Sequence, residues 1–388
     1  MKILVILSRV PYPLEKGDKL RAYHHLRLLS QRHEVVVVAL ADEPIHPDAR
    51  SQLMRFCSEC HVIHLPWISR LINLVAASFR GIPFSSGYFY WKSAQREIEA
   101  IIERYRPDHI YCQLTRMSEY VRSVQDIPRT LDYQDAFSTA FERRAQREAW
   151  HSRWLFKVEQ KRLERYEARM LDEFENCVII STQDRDCIRH RDRGKIVVVP
   201  NGVDFERFRP REMEKKYDLL FTGNMAYPPN VESAVFLVNQ VLPLVWKQVT
   251  QAKLAIVGAT PSERVQSLTG PNVRVTGWVD DISEYYAQAK VFVAPMLINT
   301  GLQNKLLEAM SMQLPCVTSQ LASNAMGGMP GRDLVVCSDP DQYAAAIVDL
   351  LNDPAKAARI AVAGSRLVRD RYSWNSATQP LIDLIERG

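Results

Sequence analysis

The sequence has no polybasic tail and no block of like charge, and its 388 residues carry a formal net charge of only +5. This balance counts against a dedicated nucleic-acid-binding protein. No segment recurs at the period of about 20 to 50 residues that marks solenoid proteins, which counts against a repeat architecture. Partners must therefore be inferred from particular sites.

Two motifs of common enzyme classes are also missing. No GxGxxG occurs at the first turn of either half of the chain, which counts against a dinucleotide-binding enzyme. No DxD pattern follows a strand-like segment: Asp184 and Asp186 in TQDRD look like the start of a helix, so no metal is expected there. The opening run KILVILS is too short for the apolar core of a signal peptide, and we interpret it as the first strand of a cytosolic protein.

Cysteine is scarce, with seven residues, and most of them lie in apolar, strand-like segments such as NCVIIST and LPCVTS. We therefore expect reduced, buried thiols. One cluster, CSECH at 57–61, matches the c-type haem attachment pattern, and His64 could add a fourth ligand for zinc. Because HVIHLP reads as a strand that ends at a proline, we favour a structural helix-to-strand junction over haem or zinc.

Strand-like and helix-like segments alternate almost from end to end, which is typical of α/β proteins with parallel sheets and crossover helices. The length is sufficient for two domains, each with its own core. The alternation restarts after PNGVDFERFRPREMEKKYD, a polar, turn-rich and charged stretch. We interpret it as a linker and expect the domain boundary near 200–217.

Ligands of such folds bind where strands run into helix N-termini, whose N–H groups favour anions. Gly17 lies between the first strand and a helix, with Asp18 and Arg21 after it, and could let the backbone approach a phosphate. An ordinary turn glycine with a solvated first turn is an equal alternative. Gly223 and Asn224 follow a second-half strand and could likewise offer N–H groups to an anion.

Two further junctions carry candidate residues. Trp278 and Val279 follow a strand, and the tryptophan could stack on a base or belong to the core. In NTGLQNKLLEAMSMQLPCVTS at 299–319, Lys305 lies near a helix N-terminus, where the dipole disfavours a cation unless an anion binds. Glu308 follows at i+3, on the same side of the helix, so the alternative is a surface ion pair.

The stretches GDKLRAYHHL at 17–26, GNMAYPPN at 223–230 and GLQNKLLEAM at 301–310, with PNGVD at 200–204, together resemble the retaining glycosyltransferases of family 4. The resemblance is nearest to the sugar transferases of exosortase-associated exopolysaccharide systems and covers nearly the whole chain. It implies the GT-B fold, in which two Rossmann-like α/β domains face each other with their parallel sheets across a cleft. The expected domains are 1–205, joined by a crossing helix at about 373–388, and 206–372.

The resemblance implies that the second domain binds a nucleotide-diphosphate sugar and that the first domain binds the acceptor. Carried over by position, Lys305 holds the diphosphate and Glu308 binds the ribose hydroxyls, and these two are the catalytic candidates. The other donor-binding candidates are Gly17, Asp18, Arg21, Gly223, Asn224, Trp278, Val279, Gly301, Leu302, Gln303 and Asn304.

Some positions depart from the wider family. Thr300 occupies a position where many members have a second glutamate that contacts the donor sugar, and Asn224 and Asn230 replace an arginine and a lysine. Lys305 is therefore expected to be the main phosphate cation. The resemblance further implies transfer with retention and without a metal or other cofactor, the leaving phosphate taking the acceptor proton.

Two segments are candidates for contact with an anionic membrane surface. Residues 67–81 place apolar side chains on one helical face, and residues 141–171 combine nine Lys or Arg with five Glu and several aromatic residues. Neither segment reaches the roughly 20 apolar residues of a membrane span. Amphipathic helices packed on the first domain's own core are an equal alternative.

Together these observations predict a cytoplasmic hexosyltransferase that either is free in the cytoplasm or lies peripherally on the inner face of the membrane, with no nucleic-acid partner. Its donor would be a UDP- or GDP-sugar, and its acceptor a glycan or lipid-linked molecule in exopolysaccharide or cell-surface polysaccharide synthesis. The alternatives are a sugar-nucleotide epimerase of the same fold and a non-catalytic GT-B subunit that binds a partner or a membrane.

Overall fold

The computed structural model describes residues 1–14, 16–147, 150–298 and 302–387. The chain forms two compact units, Met1–Pro200 with Thr378–Gly388, and Asn201–Ala377. In each unit, helices connect the strands of one parallel sheet. The predicted α/β class with two Rossmann-like parallel sheets is confirmed.

The strands of the first unit are β1 (Lys2–Leu7), β2 (Glu34–Ala41), β3 (Glu59–His64), β4 (His109–Gln113), β5 (Arg129–Asp132), β6 (Asn176–Ile179) and β7 (Val197–Val198). They form one parallel sheet in the order β3-β2-β1-β4-β5-β6-β7. From Ile3 to Leu7 every side chain of β1 is at most 1% exposed. Consecutive buried apolar residues indicate a strand covered on both faces, as parallel sheets require.

Helices connect these strands. They are α1 (Gly17–Leu29), α2 (Ala49–Leu53), α3 (Trp67–Arg80), α4 (Phe84–Phe89), α5 (Lys92–Tyr105), α6 (Phe137–Arg147), α7 (Trp150–Glu173) and α8 (Thr182–Cys187). Ser181 caps α8 by accepting a hydrogen bond from the Asp184 N–H, so TQDRD is a helix start, as predicted.

The strands of the second unit are β8 (Tyr217–Thr222), β9 (Leu254–Val257), β10 (Val273–Val275), β11 (Ala289–Ala294), β12 (Cys316–Thr318) and β13 (Val335–Val336). Their order is β10-β9-β8-β11-β12-β13, again all parallel. The helices are α9 (Pro228–Phe236), α10 (Leu242–Trp246), α11 (Glu263–Gln266), α12 (Ile282–Gln288), α13 (Asn304–Ser311), α14 (Gln320–Met326), α15 (Pro340–Asn352) and α16 (Pro354–Arg371). The last helix, α17 (Trp374–Arg387), begins in the second unit, and from Thr378 on it belongs to the first.

The sequence VESAVFLVNQVLPLVWKQV at 231–249 has the pattern of one continuous helix, but the structure divides it. A π-helical turn at Leu237–Val241 separates α9 from α10. Pro243 explains the change of hydrogen-bond pattern, since it has no N–H to donate to the preceding turn. The helical chain is interrupted near Tyr372, since α16 ends at Arg371 and α17 begins at Trp374.

Candidate functional site

The candidate site of the second unit lies where its strand order reverses. The neighbours β8 and β11 are hydrogen-bonded in parallel, but the chain continues from β8 to β9 on one side and from β11 to β12 on the other. Loops leave such a switch point in opposite directions and open a crevice at the carboxyl ends of the strands. Gly223 and Asn224 follow β8 there, and α13 follows β11.

Three chain segments meet at the ammonium group of Lys305. Its Nζ donates a hydrogen bond of 2.5 Å to Oδ1 of Asn230 and lies 4.9 Å from the ring centroid of Phe221. A Cβ atom on Gly223 would come within 3.1 Å of this Nζ. Gly223, with a φ of +153°, therefore keeps the backbone after β8 in direct reach of the cation.

The ammonium of Lys305 has no carboxylate within 4.0 Å among the residues that the structure describes. Burial lowers the pKa of Lys305 to about 7, and the nearby charge of Glu308 opposes this only in part. The alternative of a Lys305–Glu308 surface ion pair therefore does not fit the geometry. A half-buried cation that lacks an anion at a switch point is suited to an anionic ligand.

Glu308 is held by a different set of partners. The Tyr286 hydroxyl, which is fully buried, donates to Oε2 of Glu308 at 2.9 Å and lies 2.7 Å from Oγ1 of Thr222. Burial raises the pKa of Glu308, while the Tyr286 hydrogen bond and the charges of Arg207 and Lys305 oppose the rise. The carboxylate is thus fixed in place, with acceptor capacity left for a ligand hydroxyl.

The N-terminus of α13 completes this site. Gln303 is its N-cap residue and makes no side-chain capping hydrogen bond, so the first N–H groups of the helix depend on other partners. Leu302 and Gln303 are buried, and Oδ1 of Asn304 accepts a hydrogen bond from Nδ2 of Asn201 at 3.1 Å. The predicted site residue Gly301, with Thr300 before it, lies outside the described residues.

Several residues of this site were missed in the sequence. Asn230 was noted as a departure from the family but not as a partner of Lys305. Gly258 packs directly against the backbone of Gly223. A Cβ atom on Gly258 would lie 1.7 Å from the Gly223 carbonyl oxygen, and Gly258 has a φ of +149°. The sequence feature that could have identified it is its position as a glycine directly after β9. Tyr286 gave no signal, since a tyrosine in a helix is most often a packing residue.

Trp278 and Val279 lie in the loop after β10. The Trp278 side chain is 60% exposed, so the core alternative is wrong, and Val279 is partly buried. Gly277 before them has a φ of +86°. Asp281 caps α12 by accepting a hydrogen bond from the Ser283 N–H at 3.0 Å. A stacking role for Trp278 stays a prediction.

The predicted residues of the first unit form a separate cluster. Gly17 is the first residue of α1, and nothing lies within 4 Å of where its Cβ would be. Arg21 is fully buried, and its guanidinium binds Asp132 at 2.6 and 3.2 Å and the Val199 carbonyl oxygen at 2.7 Å. Arg21 therefore joins α1 to β5 and to the end of β7. Its role in donor binding stays a prediction.

The cysteine cluster at 57–61 lies at the start of β3, which is the helix-to-strand junction favoured from the sequence. Cys57 is buried just before β3, its thiol donates to the Leu53 carbonyl oxygen at 2.8 Å, and Cys60 lies in β3 itself. Among the described residues, no three His, Cys, Asp or Glu side chains are grouped so that they could hold a metal ion.

Comparisons with known proteins agree with this architecture. A family model described as Glycosyltransferase Family 4 matches residues 20–207, and one described as Glycosyl transferases group 1 matches residues 216–353. An uncharacterized 44.6 kDa protein in the cps region of Klebsiella pneumoniae is 23% identical, with 96% of each chain aligned.

Two characterised proteins are similar over different extents. The UDP-Gal:alpha-D-GlcNAc-diphosphoundecaprenol alpha-1,3-galactosyltransferase of Escherichia coli is 28% identical over 45% of this chain, which spans about half (51%) of that relative's length. The structure of Anabaena Alr3699/HepE in complex with UDP-glucose has a TM-score of 0.71 at 14% identity and covers 100% of both chains.

The two family models together match most of the chain: the first covers mainly the first unit and extends to residue 207, and the second lies within the second unit. The chain is a glycosyltransferase, and its two α/β units have the GT-B fold of such enzymes. The crevice at Lys305 lies in the unit matched by the group 1 model.

Proposed function

We propose that this protein is a retaining, metal-independent glycosyltransferase. It would move a sugar from a UDP- or GDP-sugar to a glycan or lipid-linked acceptor in the synthesis of a cell-surface polysaccharide or exopolysaccharide. The observation that carries this proposal is the Lys305 ammonium, which lies beside Gly223 at the switch point without a carboxylate partner among the described residues. A nucleotide diphosphate is the leaving group of a UDP- or GDP-sugar, so a transferase that uses such a donor must hold this anion.

The relatives support a nucleotide sugar as the donor and a role in polysaccharide synthesis. The name of the Escherichia coli relative specifies a UDP-Gal donor and a diphosphoundecaprenol-linked acceptor. HepE was solved with UDP-glucose, and the Klebsiella relative comes from a cps region. These proteins favour a nucleotide sugar as donor and a surface polysaccharide as product.

The site suits the chemistry of the donor. When the bond between the sugar and the diphosphate breaks, negative charge accumulates on the leaving phosphate. The Lys305 ammonium and the first N–H groups of α13 would stabilise this charge, because they are already positioned before the reaction. The bound diphosphate would also raise the pKa of Lys305 and keep it protonated. Glu308, fixed by Tyr286, would accept hydrogen bonds from the ribose hydroxyls.

A thermal-shift panel of UDP, GDP and their common sugars tests the donor proposal. We expect one nucleotide class to raise the melting temperature of the parent protein, and Lys305→Met and Glu308→Ala to lose most of that rise. Lys290→Gln is the matched control, since Lys290 is exposed and paired with Asp218 at 2.8 Å, away from the site. If no nucleotide shifts the parent protein, the proposal is wrong.

Incubation of the donor with the enzyme separates the remaining alternatives. A transferase releases UDP or GDP in the presence of acceptor, and the rate stays the same with a chelator if no metal takes part. Conversion of the donor into another sugar nucleotide without acceptor would indicate an epimerase instead. The anomeric configuration of the product, read by NMR, tests retention.

Peripheral membrane contact is a further part of the proposal. Among the described residues, no helix is long and apolar enough to cross a membrane. Phe79 on α3 and Trp154 on α7 are 88% and 63% exposed. Arg162 of α7 donates hydrogen bonds to the carbonyl oxygens of Ala77 and Ile82, so α7 is joined to the C-terminal end of α3. Of residues 67–72, 75 and 147–152, no side chain is described.

Vesicle flotation tests this contact. We expect binding to vesicles that contain anionic lipid and its loss when Phe79 and Trp154 are both changed to serine. Val362→Ser is the control, because Val362 is also exposed (58%) but belongs to the second unit. Equal flotation of both variants would contradict the contact.

A further inference from the structure

The first unit has its own switch point, and two arginines lie there. Its strand order reverses between the neighbours β1 and β4, from which the chain continues to opposite sides of the sheet. Arg9 follows β1, and Arg116 lies in the short 3-10 helix Thr115–Tyr120 that follows β4. A parallel sheet places its ligand-binding crevice at this position.

The two guanidinium groups share one carboxylate. Nη1 of Arg9 lies 3.0 Å from Oδ2 of Asp18, and Nη2 of Arg116 lies 3.9 Å from the same oxygen. The three side chains are only 25%, 17% and 11% exposed, in the order Arg9, Arg116, Asp18.

Asp42 also offsets part of the charge of Arg116, and Glu43 at the same crevice pairs with Lys16 at 3.2 Å. With Lys19 included, the four cations of this crevice exceed its three carboxylates by one, so that an excess positive charge is left at a largely buried position. Such a charge is costly unless another anion balances it.

Both arginines have donor capacity to spare. Nε of Arg9 is buried without a hydrogen-bond partner. Within the described part of the chain, Arg116 makes no hydrogen bond from its guanidinium and contacts Asp18 only at 3.9 Å. Burial and the charge of Arg9 lower the pKa of Arg116 to about 10, although the charges of Asp18 and Asp42 oppose this. These are the signs of a cation pair whose counter-ion is a ligand.

The surroundings hold the pair in place beside open space. The ring of Phe89 lies 4.7 Å from the Arg116 guanidinium and 6.0 Å from that of Arg9. A cleft of about 340 Å³ opens beside Arg9, and its lining includes Lys19 and, in the loop after β2, Asp42 and Glu43. Its volume is at the lower end of the range for small-ligand pockets, which begins at about 300 Å³.

We infer that Arg9 and Arg116, the arginine pair, bind a phosphate group carried by the acceptor. This inference rests on the proposed function, because it assigns the donor diphosphate to Lys305 and a second phosphate to the first unit. Planar guanidinium groups recognise phosphate oxygens with paired hydrogen bonds, and two of them match a phosphate or diphosphate ester. The enzyme would therefore select acceptors that carry such an ester over neutral sugars.

Inorganic pyrophosphate is the probe, used in thermal-shift measurements at constant ionic strength in a phosphate-free buffer. The Lys305→Met variant removes the donor cation, so that any remaining response reports on another site. We expect Lys305→Met to keep a saturable rise in melting temperature, and Lys305→Met combined with Arg116→Gln to lose it. Arg191→Gln is the control in the same background, because Arg191 is 89% exposed.

Three results would overturn the inference. They are loss of the response in Lys305→Met alone, a full response in the double variant, and stabilisation by glucuronate but not by pyrophosphate. If Arg116→Gln does not fold, as judged by circular dichroism, Arg9→Gln takes its place. Failure of the proposed function is a different result, in which no nucleotide or nucleotide sugar stabilises the parent protein. The response to the donor should not change in Arg116→Gln.

Discussion

Donor affinity should depend on pH through Lys305. Burial lowers the pKa of this residue to about 7 in the ligand-free protein, and only the ammonium form can pair with a diphosphate. The affinity is therefore fully present below pH 7 and is lost as the pH rises through the pKa. With a pKa of about 7, about nine-tenths of the ammonium is present at pH 6 and about one-tenth at pH 8, a tenfold loss of affinity or about 1.4 kcal/mol.

Isothermal titration calorimetry with the nucleotide sugar that gives the largest thermal shift measures this loss. A nucleotide sugar is preferred to UDP or GDP because its diphosphate diester does not titrate in this pH range. At pH 8, titrations in buffers of different ionisation enthalpy should show the uptake of nearly one proton for each donor bound.

Lys305→Arg is the matched control for the pH profile. An arginine stays charged at all accessible pH values, so its profile should be flat between pH 6 and pH 8. A flat profile in the parent protein would refute the reasoning. The same slope in Lys305→Arg as in the parent would refute it too, because another group would then be titrating.

Three further substitutions test the packing around the sites. Gly258→Ala should lower the free energy of unfolding by about 2 to 3 kcal/mol in urea titrations, because the new Cβ would lie 1.7 Å from a backbone oxygen. Gly270→Ala is the control: a Cβ there would have nothing within 4 Å, so the free energy of unfolding should change by less than about 0.5 kcal/mol. Similar losses in both would contradict the close contact. Tyr286→Phe should weaken donor binding about fivefold to tenfold in calorimetry, since Glu308 loses its 2.9 Å hydrogen bond; unchanged affinity would argue against a role for this carboxylate. Asp132→Asn should cost about 3 to 5 kcal/mol in the same urea assay by leaving a buried guanidinium without its anion; a loss below about 1 kcal/mol would disprove that this ion pair supports the fold.

Local patterns were sufficient to predict the class of fold. Alternating apolar strands and helices indicated two parallel α/β sheets, since the residues that decide each element are neighbours in sequence. The pair Lys305 and Glu308 could be singled out for the same reason, because a spacing of three residues places both on one side of a helix. Local patterns did not reveal the residues that contact Lys305 and Glu308.

Contacts between distant segments could not be read from the sequence. Asn230 is 75 positions away from Lys305, and Asp132 is 111 positions away from Arg21. Each pair is formed by the strand order of a sheet, which brings loops together that no periodicity connects. The π-helical turn before Pro243 likewise depends on how a buried helix accommodates a residue without an N–H.

The most direct test of the central claim is the acceptor-dependent release of UDP or GDP from the preferred donor. It should be measured with the parent protein and with Lys305→Met, using cell membranes as the source of acceptor. The account predicts release that requires both donor and membranes, and a fall of at least about a hundredfold in Lys305→Met, as expected when a preorganised charge at the leaving group is removed. An equal rate of release in Lys305→Met and in the parent protein would contradict the claim that this lysine holds the donor diphosphate.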